Sequence, residues 1–453
     1  MSKMNLFKLK YVFLCITAVN SFALDLSEAY QHAITFNAEY LQAKELTLGK
    51  QEESVIAKSA LLPQISLTSS ISQNYIDQPQ FNAWYYQPTY GLQLQQTILD
   101  FKKMSTYTKQ KYQVVMAELQ LENAKQQLMI KVVGAYLDVL YAIDVLETTK
   151  ITKNTLNTQY QAALKSFEQG VVTRTDIADA KAALDNVISE EIAASTTLIS
   201  RKNAFFKITG CRADNINKLD QYSSFKFESA VGVKEFLNEA KLNNLNLNIA
   251  NKQIEVALEE IKIAKSGHLP SLNLKAGYQY QDSAGIVATN ASSQQLQQAT
   301  TTPGSPLSSY GVANVGIQLN VPLYSGGGVS AQVRQAQDYY KASKFQQVDV
   351  ERQIEQDVED NYWQLYNGAS LIYSQKVALD SADLKLKSDT KAYQIGLRNS
   401  VDLVNAQMNR YKTSQSYYKA HYEFLQAKIR LAYLTGKLDE NYIRIINGYF
   451  TES

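Results

Sequence analysis

Cysteine and histidine are scarce in this sequence. Of 453 residues only two are cysteine, and Cys15 lies in the apolar N-terminal run. That run belongs to a predicted signal peptide, which is removed on export. Cys211 is then the only cysteine of the exported chain, so no intrachain disulfide can form. The three histidines are scattered without the spacing of metal ligands. No nucleophile, base and acid stand in a catalytic arrangement either. We therefore expect no metal, no cofactor and no enzymatic activity.

Long hydrophobic runs are also absent after residue 23. None approaches the roughly 18 apolar residues that a membrane-spanning helix needs. Residues 1–23 have a lysine-containing start, an apolar run and a small-x-small end, Ser21-Phe22-Ala23, which predicts a secretory signal peptide. The formal charge of +2 includes the signal lysines, so no basic field exists to recruit nucleic acid. An exported chain can still enter a membrane as a β-barrel.

Proline is confined to two windows, 63–88 and 270–322, which hold all seven prolines. Because proline breaks helix interiors, long helices can run through 100–269 and 323–453. Apolar residues in both tracts step by 4, 3, 4 and 3, the average spacing of a coiled-coil seam. The two seams are Val132, Tyr136, Val139, Ile143 and Leu146, and Val358, Tyr362, Leu365, Ala369 and Ile372.

Apolar and polar residues alternate within the proline windows. The alternation predicts four strands, near 64–77, 85–98, 271–283 and 311–323, each with one apolar and one polar face. A strand of a soluble β-sandwich alternates in the same way. Export, tyrosines near the strand ends and uncharged strand interiors favour a transmembrane β-barrel.

The chain contains an internal repeat. The segment Gly170–Gly210 returns as Gly396–Gly436 with matching Asp, Ala and Thr-Gly positions, and LPQISL returns as LPSLNL. Each copy reads as helix, strand, strand, long helix, helix, and the second carries extra residues in the polar stretch from Gln279 to Ser309. We divide the exported chain into a first structural repeat at 24–222, a second at 223–448 and a C-terminal tail at 449–453.

Strand number predicts the assembly. Four strands cannot close a barrel, and an open sheet edge is not tolerated in lipid. Eight strands from a dimer leave an interior that side chains fill, whereas three chains give the first small symmetric barrel wide enough to conduct. The predicted fold class is mainly α with a transmembrane β-barrel. A long α-helical coiled-coil tunnel joins four strands per chain, which contribute to a 12-stranded trimeric barrel.

The chain resembles the TolC-type outer-membrane channel-tunnel proteins over nearly its whole exported length. The resemblance rests on LSEAYQHAITFNAEY, on LPQISL and LPSLNL, on VPLYSGGGVSAQVRQA, and on two G-x-x-x-x-x-D-x-x-x-A helices that end in Thr-Gly. It implies a homotrimer in the outer membrane with a periplasmic helical extension. It also implies a passive exit duct, engaged by a periplasmic adaptor (membrane fusion) protein and an inner-membrane pump or ABC exporter, for drug efflux or type I secretion.

The resemblance also assigns roles at the two interhelical turns. Tyr393 and Arg398 match the tip latch on one helical hairpin, and Thr175 and Asp176 match their partners on the other. Hydrogen bonds from the phenol and the guanidinium to these partners are charge-assisted, and they would hold the tip closed until partner proteins open it.

A carboxylate ring is implied at the periplasmic entrance. Asp402 matches the first acid of the family's entrance constriction, and Asn405 stands in place of the second. This departure halves the formal charge of the ring and weakens the expected cation block. A simpler interpretation is that the acids at the two helix starts only stabilise the helix dipole, with Thr173 and Ser400 as caps.

A glycine-rich segment and a second function class are also compatible with parts of the sequence. Ser325-Gly326-Gly327-Gly328 follows a strand but lacks the Gly-Lys-Ser/Thr of a phosphate loop, so we interpret it as a turn. The alternative to a channel is a secreted trimeric coiled-coil structural or adhesin-like protein without channel activity. Dependence on detergent for solubility distinguishes the two.

Overall fold

The computed structural model describes residues 23–78, 81–219, 232–289, 291–302 and 305–451. The predicted signal peptide up to residue 22, the junction of the two repeats at 222/223 and residues 452–453 of the predicted tail lie outside the described residues.

Long helices dominate the first half of the chain, with one pair of long strands between them. Helix α3 has 68 residues and no proline, as the composition predicted. The elements are α1 (Leu26–Phe36), α2 (Ala38–Ser59), β1 (Gln64–Gln78), β2 (Phe81–Asp100), α3 (Phe101–Glu168), α4 (Arg174–Thr209) and the short β3 (Lys218–Leu219).

The second half repeats this order with additions. Helix α8 has 67 residues and corresponds to α3. The elements are α5 (Val233–Asn243), α6 (Leu245–Lys265), β4 (Ser271–Gln281), β5 (Ala284–Thr289), α7 (Ser293–Thr301), β6 (Tyr310–Asn320), α8 (Gly328–Gln394), α9 (Ser400–Leu434), α10 (Glu440–Asn447) and β7 (Phe450–Thr451). The predicted mainly α fold class with a sheet is confirmed.

The chain forms two compact units, and each draws on both halves of the sequence. We call Met1–Ala38, Gln126–Lys234 and Glu359–Ser453 the helical unit, and Glu39–Lys125 and Glu235–Val358 the sheet unit. Within the described ranges, no helix combines the length and the apolar character that crossing a membrane requires.

A single helix predicted at the start of each repeat is interrupted in the structure. Asn37 separates α1 from α2, and Asn244 separates α5 from α6. Asn244 is the N-cap of α6, where its side chain accepts hydrogen bonds from the backbone N–H groups of Asn246 and Leu247. Asparagine favours such positions because its side chain can replace the missing backbone partner.

The sheet of the sheet unit is antiparallel in the order β1-β2-β4-β6, with β5 paired to the far end of β2. Cross-strand pairs such as Leu67↔Leu92 and Leu274↔Ile317 place the apolar residues of all four long strands on one face. Gln93↔Gly277 and similar pairs form the opposite, polar face. Among the described strands, β1 and β6 each pair on one side only, so the sheet is open at both edges.

The core of the helical unit is built around Tyr136, which is fully buried on α3. Its hydroxyl donates hydrogen bonds to the backbone oxygens of Leu24 and Asn217, each at 3.1 Å. Its ring packs against Phe205 and Phe450, with centroids 6.2 and 5.1 Å away. One tyrosine therefore joins a long helix to three separate parts of the chain, and burial raises its pKa.

Candidate functional site

The two interhelical turns that hold the predicted site residues have the same backbone design. Gly170 follows α3 with φ 74°, and Gly396 follows α8 with φ 76°. In each turn the residue after the glycine donates its N–H back to the helix end, Val171 to Ser166 and Leu397 to Ala392, at 2.9 and 2.8 Å. These are Schellman motifs, which stop a helix at a left-handed residue that glycine adopts without strain.

The helices that leave these turns begin with side-chain caps. Thr173 and Asp176 form a reciprocal capping box at the start of α4. At the start of α9 the cap is Asn399, whose side-chain oxygen accepts the N–H of Asp402 at 2.8 Å. The prediction that Ser400 caps this helix is therefore wrong, because Asn399 lies one residue earlier and its side chain already accepts the Asp402 N–H.

An apolar cluster packs the two helical hairpins together near their turns. Leu156 of α3 is 1% exposed and Val187 of α4 is fully buried. Val404 and Met408 of α9 pack against this cluster. Further from the tip, the hydroxyls of Thr149 on α3 and Tyr411 on α9 lie 2.9 Å apart.

The apolar cluster between the two hairpins comprises Leu156, Tyr160, Ala183, Leu184, Val187, Val404 and Met408. Both turns are therefore held side by side by packing that does not involve the predicted latch residues. Loss of a latch bond should change the tip without unfolding the hairpins.

Asp176 and Tyr393 are brought into electrostatic contact. The backbone N–H and the hydroxyl of Thr173 donate to the Asp176 carboxylate at 2.8 and 2.7 Å. These hydrogen bonds lower the pKa of Asp176, and the backbone N–H of Ser400 on the other hairpin contributes in the same direction. The pKa of Tyr393 is raised, first by burial and then by the charge of Asp176. The acid is thus ionised and faces the opposite hairpin.

The guanidinium of Arg398 contacts acids of its own hairpin. Its Nη1 lies 3.3 Å from the carboxylate of Asp402, and its Nε lies 3.9 Å from that of Asp389. Within one described chain, no bond from Arg398 reaches Thr175 or Asp176. Thr175 is exposed in the first turn of α4. The latch pairing of Arg398 with Thr175 and Asp176 stays a prediction.

Asp389 is a site residue that sequence reasoning missed. Its side chain is 8% exposed, and Lys385 donates to it at 2.5 Å. An ionised carboxylate at that depth needs cationic partners, which Lys385 and Arg398 provide. The repeat carried a signal for it, because the equivalent position of the first copy is Ala163, a buried residue at 1% exposure. An acid that replaces a buried alanine marks a specific local pairing.

Asp402 and Asn405 lie one turn apart on the first turns of α9. The Asp402 side chain is 37% exposed and is partly engaged by Arg398. Asn405 is exposed. The arginine offsets part of the Asp402 charge, so a ring of these residues would attract cations less than bare carboxylates would. Within the described ranges, no group of three His, Cys, Asp or Glu side chains is placed to hold a metal ion.

Comparison with known proteins places this geometry in a family. The model of the "Outer membrane efflux protein" family matches residues 33–211 and 236–437. The outer membrane protein TolC of Escherichia coli strain K12 is 30% identical over 428 residues, which cover 94% of this chain and 85% of that protein. The alkaline protease secretion protein AprF of Pseudomonas aeruginosa is 26% identical, with 97% and 90% coverage.

Solved structures show the same fold. The outer membrane protein VceC of Vibrio cholerae superimposes with a TM-score of 0.75 at 17% identity, covering 91% of this chain and 96% of that one. The family match spans most of the sequence, in both repeats. The chain therefore belongs to the outer membrane efflux protein family, a family of export channels rather than enzymes, and it is an exit duct of the outer membrane.

Proposed function

We propose that three copies of this chain close a 12-stranded barrel and form a homotrimeric channel-tunnel that partner proteins open at its periplasmic tip. The open four-stranded sheet carries this proposal. The outer sides of β1 and β6 present unpaired backbone N–H and C=O groups among the described strands. In lipid every such group needs a partner, so β6 of one copy pairs with β1 of the next.

The two faces of the sheet fit this arrangement. On the apolar face, Leu67, Val315 and Ile317 are 78%, 79% and 67% exposed within one chain. A contiguous apolar surface of this kind requires cover, which lipid supplies. The polar face then lines the bore. The same exposed face argues against a soluble fibrous or adhesin-like protein, which would gain nothing from it.

The interhelical turns form the gate in this proposal. Tyr393 and Asp176 hold one contact between hairpins, and Arg398 extends toward Thr175 and Asp176 of a neighbouring copy. Asp402 and Asn405 form the entrance constriction, with three copies of each around the axis. The channel itself is passive and has no catalytic role. A periplasmic adaptor protein and an inner-membrane pump or ABC exporter supply the opening and the energy, for efflux or type I secretion.

The gate is tested by conductance of single trimers in planar bilayers. Replacing Tyr393 with Phe and Arg398 with Ser removes one hydroxyl and one guanidinium from the turns, and we expect a higher single-channel conductance. Arg410→Ser is the matched control. Arg410 bonds Asp383 at 2.8 Å between the same two helices, but away from the turn. Unchanged conductance in the double variant, or an equal rise in the control, would remove the latch assignment.

A further inference from the structure

The polar stretch after β4 folds into a small structure of its own. Strand β5 pairs with the far end of β2 through Ala83↔Ala288 and Trp84↔Val287. Helix α7 follows and starts with a capping box of Ser292 and Gln295. We call β5, α7 and the turn at 306–308 the cap. The first repeat has no such structure, because β1 is followed by β2 within a few residues.

The cap lies on the polar face of the sheet. Its core contains Ala83, Tyr85 and Leu307, which are 1%, 6% and 2% exposed. Along β2, Ala83 and Tyr85 share a face with Gln87 and Gln93, because side chains alternate with a period of two. The apolar residues that complete the core are Ile76, Ile286, Ala288, Ala291 and Ala299.

The cross-strand register also places the cap on the polar face of the sheet. Asn74 pairs with Tyr85 and Ile76 with Ala83, and in the same register Ser66 pairs with Gln93. The opposite face carries Tyr75 and Trp84, whose rings pack at a tilt with their centroids 4.9 Å apart. The cap therefore covers the face that lines the bore and leaves the lipid-facing aromatics uncovered.

The position of the cap along the barrel follows from connectivity. Strand β2 ends at Asp100 and α3 begins at Phe101, so the helices leave from that end of the sheet. The cap sits at the other end, near Ala83 and Tyr85. In an outer-membrane duct with periplasmic helices, that end faces the cell exterior.

We propose that the cap narrows the outer mouth of the barrel and sets the largest object that can pass it. This inference rests on the proposed trimeric barrel, in which three caps fold inward over one bore. Helix α7, SQQLQQATT, contains no charged residue. A rim of amides and hydroxyls hydrogen-bonds to any polar solute without favouring one sign of charge. The cap thus selects by size and leaves cargo charge unselected.

The ends of the cap lie close enough to allow its clean removal. Ser309 Oγ donates to Asp282 Oδ1, and Gln281 and Tyr310 are cross-strand partners. Replacing residues 283–308 with Asn-Gly would join β4 and β6 through a two-residue hairpin turn of a favoured type. A milder change is Leu307→Asp, which places a charge in the cap core. Gln297→Asp adds the same charge on the exposed side of α7 and serves as its control.

The experiment measures thiol labelling from outside intact cells, in a Cys211→Ser background. Gln93→Cys reports from the polar face and Leu92→Cys from the apolar face of β2. A small charged methanethiosulfonate and a maleimide on a bulky polyethylene glycol chain are compared. We expect the small reagent to label Gln93→Cys with or without the cap. The bulky reagent should label it only after cap excision or Leu307→Asp, and not in Gln297→Asp.

The outcomes separate this inference from the proposed barrel. Bulky labelling with the cap intact, or no bulky labelling after either cap change, would show that the cap does not limit the mouth. If the small reagent labels Leu92→Cys as well as Gln93→Cys, or labels neither, the polar face does not line a bore. In that case the barrel itself fails, and the cap proposal fails with it.

Discussion

Replacing Asp144 with asparagine should make the helical unit more stable at neutral pH and above, but not in acid. Asp144 lies on α3 and accepts a hydrogen bond of 2.5 Å from the hydroxyl of Tyr422 on α9. Tyr422 is 4% exposed. Burial raises the pKa of Asp144 from 3.8 to about 6, opposed by the Tyr422 hydrogen bond and by Lys218, and assisted by Glu147.

The sign and the size of the effect follow from this pKa. A carboxyl with a higher pKa in the folded chain holds its proton more tightly there than in the unfolded chain. Between about pH 4 and pH 6 the unfolded state binds fewer protons, so stability falls as pH rises. A rise from 3.8 to about 6 corresponds to about 3 kcal/mol per chain at about pH 8.

Asparagine cannot ionise but keeps an oxygen that accepts the Tyr422 hydrogen bond. Asp144→Asn should therefore raise the free energy of unfolding by up to about 3 kcal/mol at about pH 8, with little gain at about pH 4. Guanidinium-induced unfolding in detergent, followed by tyrosine circular dichroism, measures the free energy of unfolding at each pH. Asp138→Asn is the control, since it removes the same charge from α3 at a side chain that is 41% exposed. An equal difference between variant and wild type at both pH values would refute the reasoning.

Three further predictions concern the turns and the gate. Gly210 has φ 73° and a Cβ there would lie 2.8 Å from the ring of Phe36, whereas Gly170 has φ 74° and open space. Gly210→Ala should lower the free energy of unfolding by about 1 to 3 kcal/mol more than Gly170→Ala, and equal losses in denaturant would contradict the ring contact. Asp402→Ala should weaken the inhibition of conductance by multivalent cations, and equal inhibition of both proteins would contradict its place at the entrance. Asp389→Asn should remove one of the two carboxylates that Arg398 contacts and alter single-channel conductance more than Asp383→Asn does, whereas equal effects would remove Asp389 from the gate.

The long elements could be predicted because their signals extend over many residues. The proline-free tracts gave α3 and α8, and alternation gave the four strands, including Leu67 and Leu92 on one face. The repeat located the two turns at Gly170 and Gly396, where a left-handed residue ends each helix. Such patterns still predict the element where single residues deviate, because many residues contribute to each pattern.

Neither the cap nor the ion pairing of Arg398 could be predicted from the sequence. The cap is rich in Gln, Ser and Thr, and its core uses a few apolar residues from β1, β2 and a distant turn, so no period marks it. Besides Asp402, Arg398 contacts Asp389, which looks like an ordinary polar residue of a long helix until its burial is known. At the start of α9, Asn399 and Ser400 are both good caps, and only the backbone decides between them.

The central claim is that β6 of one copy pairs with β1 of the next around a ring of three. Disulfide cross-linking in the outer membrane tests this directly, in a Cys211→Ser background with Ser70→Cys on β1 and one cysteine moved along β6 from Val312 to Leu319. The account predicts that one register gives covalent dimers and trimers and nothing larger on a denaturing gel. Monomers in every register, or a ladder that continues beyond trimers, would contradict it.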